Sequence, residues 1–139
     1  MKRLLLTLIP SILLIASIPF GLSWYDNRPE TTDVQTLRLT KTLWVLQKQF
    51  DLTKIRVEVH AVRRQNMGDC HCWGREWDNY IEVMAVEDMP MSIPWEHRKQ
   101  FQAEILQHEV MHIVLTNLGI PPDAQDIIIE RLRPSEVQP

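Results

Sequence analysis

The order of patterns in this chain predicts an α+β domain: a helical repeat of leucines, then two stretches alternating apolar and polar residues, then a long helix and a short one. Of its 139 residues 45% are hydrophobic and 24% charged, the proportions of one packed domain rather than a disordered or collagen-like chain. Two cysteines are too few to staple a fold that lacks a core, so packed apolar side chains must hold it.

The N-terminus reads as an address. Lys2 and Arg3 precede a run, residues 4–25, without a single charge. The pattern predicts a signal peptide or single membrane anchor over residues 1–23, with the rest of the chain exported: periplasmic, secreted or membrane-tethered. Pro19 and the small residues Gly21 and Ser23 favour cleavage, whereas the 19 residues from 4 to 22 suffice to span a bilayer. Residues 24–32 are polar and read as a linker, 33–133 as the domain, and 134–139 as a tail. The 15 Lys+Arg, less Lys2 and Arg3, leave 13 against 18 Asp+Glu, a net −5. No basic cluster recommends nucleic acid as a partner.

Within the domain, Thr32 or Asp33 is placed to cap a helix reaching about Phe50, with Leu39, Leu43, Leu46 and Phe50 on its buried face. Residues 54–62 alternate and predict a strand. Residues 63–78 hold two glycines, both cysteines and two tryptophans, and read as an irregular loop or hairpin. Residues 80–86 alternate again as a second strand. A helix is expected over 95–118, stopped by Gly119 and the Pro121-Pro122 pair, and a last one over 122–131.

The long helix contains His108-Glu109-Val110-Met111-His112, an H-E-x-x-H sequence. Residues four apart on a helix lie one above the other, so both imidazoles can reach one zinc ion. Glu109 beside them can take a proton from a zinc-activated water as it attacks a carbonyl. Phe101, Ile105 and Leu115 share the histidines' face and predict an apolar cleft. A catalytic zinc needs a third protein ligand. Asp123, Asp126 and Glu130 form one acidic stripe on the last helix. In a hairpin turning at residues 119–122 the metal lies roughly nine residues, or about 13 Å, from the turn. The same distance along the last helix arrives near residue 131. Glu130 is therefore the expected ligand, with Asp126 expected to orient a histidine through its second ring N–H, or to serve as ligand where the helices cross steeply.

These residues resemble a minimal zincin metallopeptidase of the gluzincin type, with H-E-x-x-H on one helix and a glutamate ligand on the next. The layout is similar over roughly residues 33–132, and His108, Glu109 and His112 match by a specific motif. The resemblance implies a zinc peptidase in which His108, His112 and Glu130 bind Zn2+ and Glu109 is general base and acid. It also implies that the strand at 80–86 lines the cleft and pairs with an extended peptide or protein substrate. The chain departs from the thermolysin-like pattern in lacking N-E-x-x-S-D, and from metzincins in having no histidine in residues 113–122.

Two other functions use the same residues: a non-catalytic zincin-like binding or assembly module at the membrane, and a zinc amidase acting on cell-wall amides. His71, Tyr80 and Arg131 are each candidate donors to an oxyanion. Cys70 and Cys72, two apart in an exported chain, read as a structural or redox-labile pair, or as a thiolate reaching the zinc. His60 and His97 read as surface or satisfied histidines, and Trp73, Trp77 and Trp95 as packing residues near the cleft edges.

Overall fold

The computed structural model describes residues 29–132. The export segment expected at 1–23 and the tail at 134–139 lie outside those residues. Among the described residues no helix is long and apolar enough to cross a membrane.

Helix α1 (Thr32–Gln49) is capped by Thr31, one residue before Thr32 and two before Asp33, because Thr31 stands in extended conformation and its hydroxyl accepts from the Val34 N–H. It ends where Asp51 adopts a positive φ of 54°, which lets the Leu52 N–H reach back to Gln47 O. Leu39, Leu43, Leu46 and Phe50 are all buried, as their spacing predicts. Glu30, placed in the linker by its sequence, is tied to the domain by Arg38 and by the buried Lys99.

The sheet has three strands, β1 (Glu58–Val62), β2 (Gly74–Trp77) and β3 (Tyr80–Met84), in the order β1-β3-β2. β1 runs parallel to β3, and β2 antiparallel to it. The first strand starts later than expected because residues 52–55 are occupied by a turn closed by the Ile55 N–H to Leu52 O bond. β2 lies inside the stretch read as a loop or hairpin. Asp78 and Asn79 both take positive φ, 47° and 65°, the two-residue connection that matches strand twist. Cross-strand pairs, Arg75 with Glu82 and Trp77 with Tyr80, hold the hairpin.

α2 (Trp95–Asn117) packs on β2, β3 and α1, while α1 packs on β1, so both helices cover one face of the sheet. Between the layers lie Leu39, Ile81, Val83, Leu106 and Val110, all essentially without exposure. Gly119, at φ 76°, ends α2: its N–H reaches Thr116 O and the Ile120 N–H reaches Leu115 O. α3 (Pro122–Leu132) then folds back onto α2.

One polar cluster sits inside this core. Gln102 and Gln35 are fully buried; the Gln102 amide donates to Gln35 Oε1 and Met84 O, and Arg38 donates to Gln102 Oε1. Gln35 also accepts from the Val86 N–H and donates to the Glu87 carboxylate. The network joins α1, α2 and the end of β3; its Gln102 bonds to Gln35 and Met84 O and the Val86 N–H bond to Gln35 are buried, and those to Glu87 and Arg38 are part-buried.

Candidate metal centre

The H-E-x-x-H segment occupies the middle of α2, two turns before the Gly119 stop. The helical spacing brings His108 Nε2 to 3.1 Å from His112 Nε2, with the rings at 74°. A carboxylate from the next helix completes the group. Asp126 Oδ1 lies 3.3 Å from His112 Nε2 and 3.6 Å from His108 Nε2. Zinc bonds of about 2.0–2.1 Å in a tetrahedron set neighbouring ligand atoms about 3.3 Å apart, so these three edges fit such a site.

Glu130, the ligand expected from counting along the hairpin, is exposed and is not in this group. It lies on the same stripe as Asp126 but one turn further, about 6 Å along the axis. The reason is a residue whose importance sequence reading missed. Gln125 is buried, and its amide nitrogen donates to Thr116 Oγ1 and Ile120 O, the hydroxyl and carbonyl flanking the turn. Those bonds seat the first turn of α3 against the last turns of α2 and bring Asp126, not Glu130, over the histidines. A buried glutamine at the head of the Gln125, Ile129, Leu132 stripe was the available signal.

Gln125 also fixes chemistry. With its nitrogen committed to two oxygens, its Oε1 faces His112 Nδ1 at 2.8 Å, so Nδ1 carries the proton and donates. In the neutral ring Nε2 then holds a lone pair, aimed at Asp126 and His108. Lone pair and carboxylate converge, an arrangement that a cation or a proton satisfies. The orienting role expected of Asp126 is thus held by Gln125.

Glu109 is turned to the sheet and buried. Burial pushes its carboxyl up to about 7, and the negative charges of Glu76 and Asp126 push the same way. Gly74 and Glu76 pair with Val83 and Ile81, the β3 residues under the helices, so both face α2.

The strand expected to pair with substrate does not have a free edge. β3 is the central strand, bonded to β1 on one side and β2 on the other along its length. Among the described residues, β2 is the edge strand that packs on the histidine helix, and its outer side pairs with no other strand. Tyr80 stacks on His60, on the face opposite Ile81 and Val83, and is not at the centre. His71, His97 and Arg131 are exposed. Cys70 and Cys72 form a disulfide. Trp73 packs edge-on against Phe101 of α2, whereas Trp77 packs against Tyr80 with the rings tilted by 41°. No protein-family model, curated protein or solved structure matches the chain.

Proposed function

We propose that the domain is a zinc-dependent metallopeptidase acting outside the cytoplasm, with His108, His112 and Asp126 holding the ion and Glu109 serving as general base. One observation carries the reading: two histidine Nε2 atoms and a carboxylate oxygen converge with the spacing of tetrahedral ligands. Asp126 takes the place that the sequence suggested for Glu130.

Bound zinc supplies a Lewis acid that polarises a carbonyl and lowers the pKa of a water to about 7. The chain's own residues do the rest. Gln125 holds the His112 ring by Nδ1, leaving Nε2 free as a ligand. Glu109, with its carboxyl raised toward neutrality, takes the attacking water's proton and returns it to the departing amine nitrogen. The outer edge of β2, unpaired among the described residues, offers backbone N–H and C=O groups to an extended peptide, a mode that reads main chain more than side chains.

The test pairs zinc content with cleavage of an unfolded protein by the purified chain. Wild type is expected to hold one zinc and cleave; Glu109→Gln is expected to keep the zinc and lose at least about 10²-fold in rate. Full zinc occupancy without cleavage by wild type would point instead to a metal-stabilised binding module. Cleavage of cell-wall amides alone would move the substrate to the amidase class.

A further inference from the structure

Helix α1 presents a second surface that the proposed chemistry does not use. Val34, Leu37, Trp44 and Val45 are 49%, 58%, 58% and 38% exposed. At 100° per residue they fall on one stripe, opposite the buried leucines, and Lys41 and Lys48 complete that stripe. Lys48 Nζ sits 3.4 Å above the Trp44 ring. After Asp33 the helix carries no acidic residue. Four apolar side chains flanked by two cations, with no carboxylate among them, form a face suited to an anionic apolar boundary.

The sequence says which boundary lies nearest. Residues 4–25 carry no charge, and only six residues, 26–31, separate them from the first residue of α1. Six extended residues reach at most about 22 Å. A chain whose apolar run enters a bilayer therefore delivers α1 to that bilayer's surface. The metal centre lies between α2 and α3, and its neighbouring strand β2 is at the sheet edge opposite β1, on which α1 packs.

We propose that the exposed face of α1 lies on a membrane carrying anionic lipid, with the Val34, Leu37, Trp44 and Val45 side chains in the headgroup–acyl boundary and Lys41 and Lys48 on lipid phosphates. The inference stands apart from the zinc reading. Neither a metal nor Glu109 enters it.

The test uses the full chain in vesicles of equal parts phosphatidylcholine and phosphatidylglycerol, with or without bromine on the acyl chains. Trp44→Phe keeps an apolar ring while removing one fluorophore, so its difference from wild type isolates the Trp44 emission. Trp77→Phe gives the same difference for the exposed Trp77, on the β2 edge. A ring seated at the boundary, about 5–10 Å deep, is expected to lose at least about half its emission to the bromines. The Trp77 component is expected to lose none. Lys41→Glu with Lys48→Glu is expected to reduce the Trp44 quenching in these vesicles. Trp44 emission unaltered by bromine would overturn the proposal. So would a Trp44 emission shielded identically in detergent and in vesicles, the result expected if a second copy or the chain's own apolar run covered the face.

Discussion

Gly74 of β2 stands against Glu109 of α2 so closely that a β-carbon at position 74 would lie 2.9 Å from the Glu109 Oε1 oxygen. The same atom would fall 2.5 Å from Ile105 Cγ2, nearer than side chains approach. The absent side chain is thus what allows the Glu109 carboxyl to sit between helix and edge strand. Gly74→Ala is expected to displace Glu109 while leaving the histidines in place. Cleavage should fall by up to about 10²-fold, the effect of an ångström of misplacement, with zinc content unchanged. Wild-type activity in this variant would remove Glu109 from its proposed position.

The assignment of Asp126 over Glu130 separates two simple variants. Asp126→Ala should lose zinc to a chelator at concentrations that leave wild type loaded, and Glu130→Ala should titrate as wild type does. Gln125→Leu keeps the side chain's bulk but frees the His112 ring, and is expected to weaken zinc binding about 10–100-fold. Reversed results for the two carboxylates would return the ligand role to Glu130.

In the metal-free protein Glu109 links stability to pH in a defined direction. Its folded carboxyl is raised to about 7 from 4.5, so between those values the folded state keeps a proton the unfolded state has lost. The folded state then binds more protons, and stability falls as pH rises through this window. Glu109→Gln cannot ionise. In chelator, its melting temperature should exceed that of wild type by more at about pH 8 than at about pH 5. An equal gap at both pH values would show that Glu109 titrates normally.

The buried amides make a prediction about the fold alone. Gln102→Ala removes a side chain without exposure and strips partners from Gln35, Arg38 and Met84 O. The loss should be about 3 kcal/mol, read as a lower urea midpoint at unchanged slope. A change below about 1 kcal/mol would mean that water replaces the lost bonds.

Regular periodicity made the helices legible: the leucines of α1 and the span of α2 were readable because burial repeats with the turn of the helix. β2 was hidden because its four residues alternate no apolar pattern, and its glycine reads as loop until Ile105 and Glu109 are seen against it. The available signal for the tight turn was the Asp78-Asn79 pair, whose residue types both tolerate positive φ, and the reading of residues 63–78 as a loop or hairpin did not draw on it. His108, Glu109 and His112 could be picked out because one helix sets their spacing. The choice of Asp126 over Glu130 could not, since it depends on how α3 lies on α2, which Gln125 decides through Thr116 and Ile120. Buried glutamines look like surface residues in a sequence, so the Gln35–Gln102 link was invisible too.

The three bonds of Gln125 have a thermodynamic consequence. α3 buries only Gln125 and Ile129 fully, fewer anchors than α1 or α2, so it is expected to open more readily than they do. Opening it would withdraw Asp126 from the histidines and release His112 Nδ1 in the same event. A ligand held jointly by His108, His112 and Asp126 binds only the closed helix, and mass action then favours closure by about 2.7 kcal/mol at a hundredfold excess over Kd. Were a metal bound there, amide exchange along α3 would slow with occupancy, and the helix would serve as its own gauge of metal supply.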